Sequence, residues 1–161
     1  MMRLRRATGA LILILTVLIC SCAPRAAPSP REVCERVAAS GLLGDGILYD
    51  SRAPADDETY LDPALLKALY ARPDDSWDAE DIAAVALYLG SSAREHRELA
   101  VFACRGRDAA REVVSLCRGR AALIADAGIC APRILLYGET VVFLAHPEPS
   151  AAENLLDRIF K

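Results

Sequence analysis

Cysteine is the residue type with the greatest chemical reach in this sequence of 161 residues, which contains six cysteines. No Cys-x-x-Cys pair occurs, which disfavours a redox-active dithiol. An even number of cysteines downstream of a secretory leader predicts two disulfides, and sequence alone cannot separate the three possible connectivities. We favour Cys117 pairing with Cys104 or Cys130, because these three lie in one contiguous block. The predicted disulfide cysteines are Cys34, Cys104, Cys117 and Cys130.

A metal site formed by Cys104, Cys117, Cys130 and His146 is disfavoured. These cysteines are 13 residues apart, whereas structural zinc ligands usually come in pairs separated by about two to four residues. The other histidine, His96, lies in a run of charged residues that is typical of a solvated turn. No glycine-rich phosphate loop, Gly-x-Ser-x-Gly motif or Ser-x-x-Lys motif occurs. We therefore expect no metal and no cofactor.

The densest acidic patch is the segment 74–81, which also holds the single tryptophan, Trp77. A calcium loop would need a central glycine among alternating oxygen ligands, and this segment has none. The pattern favours a solvated loop with Trp77 folded onto the core. Asp75 and Asp78, with Trp77, are the candidate contacts for a cation, a glycan or a peptide.

The N-terminus has the pattern of a lipoprotein leader. Three arginines precede an apolar run over 10–19, and the uncharged stretch 7–24 is too short for a comfortable membrane span of about 20 residues. Ile19-Cys20-Ser21-Cys22 looks like a lipobox, in which the last cysteine is diacylated and becomes the mature N-terminus. We predict a signal peptide over 1–21, a lipid-anchored Pro-rich spacer over 22–31 and one domain over 32–161. An ordinary secreted protein and an uncleaved anchor are the alternatives.

Composition and charge narrow the class of protein. Apolar residues make up 53% and charged residues 25% of the chain, which is typical of a packed core. The net charge of -3 gives no electrostatic footprint for nucleic acid. Removal of 1–21 takes away Arg3, Arg5 and Arg6 but no acidic residue, so the net charge of -3 becomes -6.

Hydrophobic periodicity predicts an α+β fold. We expect an antiparallel sheet of about four strands, as two hairpin-like pairs, with helices packed on one side in a two-layer sandwich. The run 82–89 is interpreted as a strand, with a helix over 79–89 as its competitor. Residues 97–104 form the next strand. Helices are expected over 30–40, 64–70, 108–127 and from Ser150 onward, with Ser29, Asp62, Asp108 and Ser150 as their caps.

The segment 133–145 is the clearest single feature. Two β-favouring runs flank Gly138-Glu139, a Gly-X signature of a tight hairpin turn. This turn predicts Leu136 opposite Val141 and Ile134 opposite Phe143. Both faces of the hairpin are apolar, so we expect the second face to be covered by the helix that carries Cys34 or by the loop before residue 82. The alternative is a surface for a dimer or another partner.

The block 61–160 resembles the small lipoproteins grouped as domain of unknown function 4358, found mainly in Gram-positive anaerobes. The resemblance rests on Leu65-Leu66-x-x-Leu69-Tyr70, the strand beginning Arg97-Glu98-Leu99-Ala100-Val101-Phe102, the helix 113–124 and the hairpin 136–144. It implies an exported, lipobox-bearing protein with no assigned activity and no catalytic residues.

The sequence therefore predicts a lipid-anchored protein on the extracytoplasmic face of the cell membrane, held there by a palmitate-bearing diacylglyceryl group on Cys22. Absence of a catalytic motif favours a binding or cell-envelope accessory component over an enzyme, with an envelope protein or a second copy as partner. One rival is an envelope hydrolase whose acids come from 74–81 and Glu139. The other is a self-associating structural lipoprotein that uses the second hairpin face.

Overall fold

A computed structural model describes residues 27–70, 81–92 and 95–161. The helices are α1 (Pro30–Ala39), α2 (Pro63–Tyr70), α3 (Arg107–Asp126) and α4 (Pro149–Phe160). The strands are β1 (Gly46–Asp50), β2 (Ile82–Gly90), β3 (Glu98–Cys104), β4 (Arg133–Tyr137) and β5 (Thr140–Ala145).

The five strands form one antiparallel sheet in the order β1-β2-β3-β5-β4. β3 is the central strand, and all of its residues except Ala103 are buried, as is every residue of β5. Strands that are covered on both faces read as continuous apolar runs rather than as an alternation of apolar and polar residues. The burial of these two strands therefore indicates that helices cover both faces of the sheet.

Two hydrophobic cores lie on opposite faces of the sheet. On the first face α2 and α3 pack over Phe102 of β3 and Phe143 of β5. On the second face α1 and α4 pack over the alternate residues of the same strands, including Val101 and Leu144. The molecule thus has three layers, with a helix pair, a sheet and a second helix pair.

The predicted α+β class with an antiparallel sheet is confirmed, and two details differ. The sheet has five strands rather than about four, because β1 was not predicted from its five residues. The helices cover both faces instead of one, because α1 and α4 bury the apolar second face of the hairpin. The expectation that the helix carrying Cys34 covers this face is confirmed.

Most local predictions agree with the structure. The run after residue 81 is a strand and not a helix, because β1 and β3 pair with it on its two sides. Ile134 lies opposite Phe143 and Leu136 opposite Val141, in the predicted register. Gly138 has φ +63°, the left-handed backbone that a primed turn requires of its first residue.

Two helix caps match the prediction and two do not. Ser29 forms a capping box with Glu32, and the carboxylate of Asp62 accepts a hydrogen bond from the backbone N–H of Ala64 at 2.7 Å. The cap of α3 is Gly106 rather than Asp108, which lies inside the first turn and pairs with Arg111. α4 begins at Pro149, so Ser150 is already helical. The ring of Pro149 fixes φ near the value that a first helical residue needs.

Candidate functional site

A buried carboxylate, Glu98, forms the densest polar cluster of the described chain. Its side chain is 0% exposed. The hydroxyl of Tyr70 donates to Oε1 at 2.6 Å, and Nη2 of Arg120 donates to Oε2 at 2.7 Å. Nε2 of His96 lies 2.9 Å from Oε2 and donates when it carries the proton. Both carboxylate oxygens are therefore occupied by donors from the protein itself.

Four different segments bring this cluster together. Glu98 begins β3, Tyr70 ends α2, Arg120 lies on α3 and His96 lies in the connection before β3. The ring of Tyr70 is held edge-on against Phe102, with centroids 5.3 Å apart. The cluster thus joins both helices of the first face to the central strand.

Burial and hydrogen bonding act on the Glu98 carboxyl in opposite directions. Burial raises its pKa, but hydrogen bonds from His96, Arg120 and Tyr70 outweigh burial and hold the pKa below its ordinary value. Burial, followed by the charge of Glu98, raises the pKa of the Tyr70 hydroxyl. The stable state is therefore an ionised Glu98 that accepts from a neutral tyrosine and a charged arginine.

Sequence reasoning missed this cluster, and His96 was wrongly interpreted as a solvated turn residue. His96 is only 28% exposed, and its ring faces Glu98. A signal for the cluster was present in the alternation of β3. Glu98 is in phase with Ala100 and Phe102, so a two-residue period places its carboxylate on an apolar face, where it needs partners.

The cysteines divide between the two faces of the sheet. All four described cysteines are free thiols in the structure. Cys34 lies in the core of the second face, with its thiol 3.8 Å from the backbone oxygen of Ala86 in β2. Cys104, Cys117 and Cys130 lie in or against the core of the first face. Any two bridges among the four cysteines would include Cys34, and the sheet separates Cys34 from the other three.

Burial makes these thiols poor nucleophiles. It raises the pKa of Cys104 to about 11, with further contributions from the charges of Glu139 and Asp81. It also raises the pKa of Cys34 and Cys117, because a thiolate loses its hydration in an apolar core. The thiols of the described chain therefore stay protonated near neutral pH.

His146 directly follows β5 and links the end of that strand to the loop after α1. Its Nδ1 accepts a hydrogen bond from the backbone N–H of Glu148 at 2.9 Å. Its Nε2 lies 2.9 Å from the backbone oxygen of Leu42, to which the Nε2–H donates. Both ring nitrogens are occupied in one neutral tautomer, which leaves neither free for a metal. Within 27–70, 81–92 and 95–161, no three His, Cys, Asp or Glu side chains could together hold a metal ion.

A groove of about 680 Å³ lies where the described chain begins. One wall is an aromatic pair, Tyr137 and Phe160, stacked with ring centroids 4.2 Å apart and planes 5° apart. The hydroxyl of Tyr137 donates to Asp157 at 2.7 Å. The residues that line the groove include Ala27, Glu32, Arg36, Tyr137, Phe160 and Lys161.

The chain matches no protein-family model, no curated protein and no solved structure. The resemblance to the small Gram-positive lipoproteins stays a prediction.

Several predicted site residues lie outside the described part of the chain. These are Cys22 in the leader region and the candidate ligand contacts Asp75, Trp77 and Asp78. Of the acids assigned to the hydrolase alternative, Asp81 and Glu139 are described. The backbone oxygen of Asp81 accepts from Arg105, and that of Glu139 accepts from Cys104. The two acids therefore flank the end of β3 from opposite sides. No helix of the described segments is long and apolar enough to cross a bilayer.

Proposed function

We propose that this chain is a lipid-anchored extracytoplasmic protein that serves as a binding or cell-envelope accessory component rather than as an enzyme. The observation that carries the anchoring part of the proposal is the small number of residues between Cys22 and the start of the folded domain. Helix α1 is capped at Ser29, where Glu32 completes the capping box. The domain therefore begins seven residues after Cys22, and an extended chain of that length spans at most about 25 Å. A diacylated Cys22 would hold the domain close to the bilayer.

The interior of the domain supports a binding role. The Glu98 carboxylate is saturated by donors from the protein, so it has no free lone pair aimed at a substrate. The buried thiols have raised pKa values, as described above. These groups stabilise the fold, which leaves the surface of the domain for partners.

The anchoring part of the proposal is tested by labelling the full chain with radioactive palmitate in a bacterial host that processes lipoproteins. We expect label in the mature protein, a mature mass that begins at Cys22, and no label in Cys22→Ala. Cys20→Ala is the matched control, because Cys20 lies in the predicted leader, and it should retain the label. Label in Cys22→Ala, or a soluble wild-type protein without label, would contradict lipid anchoring.

An envelope hydrolase is the second candidate, and one observation favours it. Asp81 directly precedes β2 and Glu139 directly precedes β5, and their backbone oxygens accept from Arg105 and Cys104 at the end of β3, which places the two backbones about 10 Å apart. Carboxyl groups in inverting glycosidases are about 6.5–9.5 Å apart, and side chains that extend from two backbones at this spacing can reach such a separation. Turnover of cell-wall glycan fragments by the wild type, abolished in Glu139→Gln, would favour this candidate over a binding role.

A further inference from the structure

We propose that the groove at the start of the described chain seats the phospholipid headgroups of the leaflet that carries Cys22. This inference rests on the proposed lipid anchor and adds the orientation of the domain. The second helix pair and the hairpin turn meet at this groove, where α1 begins, α4 ends and Gly138 turns the chain.

The length of the spacer limits how far the groove can lie from the membrane. Ala27 lines the groove and comes five residues after Cys22. Five extended residues span at most about 18 Å. The headgroup layer of one leaflet is itself about 5–8 Å thick. An acylated Cys22 therefore places the mouth of the groove within reach of the headgroups, without any large movement of the domain.

The aromatic wall has the chemistry of a membrane interface. Tyr137 and Phe160 present flat apolar rings, while the Tyr137 hydroxyl is satisfied by Asp157 at 2.7 Å. Aromatic side chains that combine an apolar body with a polar tip are enriched at the boundary between acyl chains and headgroups. The pair fits that boundary better than it fits bulk water.

The charged lining suits a phosphate group. Arg36 and Lys161 supply cations beside the aromatic pair, and Lys161 also forms an exposed ion pair with Asp157 at 3.3 Å. Arg36 forms no ion pair with any other described residue. The nearby Glu32 carboxylate is engaged in the capping box, where it accepts from the Ser29 backbone at 2.8 Å and from the Ser29 hydroxyl at 2.9 Å. Arg36 is therefore the lining cation that a lipid phosphate can meet directly, and Lys161 can meet the phosphate by exchanging its exposed ion pair with Asp157.

The net charge argues for contact at this end of the domain only. After removal of 1–21 the chain carries a net charge of -6, which an anionic surface repels. A domain that touches the bilayer through one groove keeps most of its acidic surface in water. We therefore expect it to stand end-on, with β1 and the first helix pair away from the lipid.

The orientation is tested with the full lipidated chain in vesicles of phosphatidylethanolamine and phosphatidylglycerol whose acyl chains are brominated near the ester end. The natural tryptophan is replaced by Trp77→Phe, and Phe160→Trp supplies a reporter in the groove. Leu123→Trp is the matched control, because Leu123 is 65% exposed on α3, on the opposite side of the sheet. We expect bromine to remove most of the Phe160→Trp emission and to leave that of Leu123→Trp unchanged.

Three further variants keep the test decisive. Ile159→Trp is an alternative reporter for use if Phe160→Trp does not fold, because Ile159 lines the same groove and carries no charge. With Phe160→Trp as the reporter, the added pair Arg36→Gln and Lys161→Gln should restore emission, whereas Arg111→Gln, an exposed arginine on α3, should not.

Equal quenching of both reporters, or quenching of neither in vesicle-bound protein, would overturn the orientation while leaving the anchor intact. The second of these results is also the one expected if the groove binds a protein partner or a second copy. A protein that carries no palmitate and does not float with vesicles would instead overturn the proposed anchor, and the orientation with it.

Discussion

At the scale of single residues, Glu98 shows how a buried charge is tolerated. Its burial would favour the neutral acid, yet three donors from separate segments keep it ionised. Removal of one partner from such a cluster leaves another buried charge without its counter-ion, and that costs more free energy than the intact pair contributes. The cluster therefore constrains which residues can stand at these positions.

We expect Glu98→Gln to lower the free energy of unfolding by about 3 kcal/mol, because Arg120 would lose its counter-ion. Urea denaturation at pH 7 measures this change. Glu153→Gln is the matched control, since its ion pair with Arg133 is partly exposed and should contribute less than about 1 kcal/mol. An equal loss in the two variants would contradict the role given to Glu98.

The same group predicts a pH dependence. The folded-state pKa of Glu98 is lowered, so its contribution to stability is complete above the unfolded-state pKa of about 4.3. That contribution is lost as the pH falls from there through the folded-state pKa. The wild type should therefore lose stability below about pH 4.3 more steeply than Glu98→Gln does.

At the scale of elements, the β4–β5 hairpin shows how far local sequence reaches. The turn Gly138-Glu139 sets the register, and the register places each side chain on one face or the other. The positive φ of Gly138 is the local requirement, since a Cβ there would meet nothing within 4 Å. Glycine is therefore favoured at this position by the backbone conformation, and not by a lack of space for a side chain.

We expect Gly138→Ala to lower the free energy of unfolding by about 1–2 kcal/mol, because an L-residue is strained at this backbone conformation. The midpoint of a urea transition reports the change. Glu139→Ala, at the neighbouring turn position with an exposed side chain, should leave the midpoint nearly unchanged. If both variants behaved alike, the turn assignment would be wrong.

At the scale of the whole molecule, the sheet is a partition between two cores. Cys34 is buried with α1 on one side, and Cys117 is buried with α3 on the other. A disulfide requires Cα atoms within about 7 Å, whereas packed layers are about 10 Å apart. We therefore predict that at most one bridge forms, within the first face, and that the second predicted bridge, which would need Cys34, does not.

We expect Cys34 to remain a thiol in protein purified from an oxidising compartment. The protein is unfolded in denaturant without reductant, alkylated with iodoacetamide, and digested for mass spectrometry. Cys34 should carry the alkyl group before any reduction. Cys117 is the internal comparison, because it is alkylated only after reduction if it pairs with Cys104 or Cys130. Cys34 found in an intramolecular disulfide would contradict the three-layer arrangement.

The sequence by itself determined the elements whose signals are local, which are the capped start of α1 and the register of the final hairpin. These follow from backbone preferences and from side-chain period, which act over a few residues. For the run 82–89 it left strand and helix open, and pairing with β1 and β3 decided for the strand. The tertiary structure alone decided that helices cover both faces, that β1 completes the sheet, and that Glu98 meets Tyr70 and Arg120. The contacts of Glu98 join residues more than 20 positions apart in the sequence. Hydrophobic burial is non-directional, so a local sequence pattern cannot indicate which distant element will cover an apolar face.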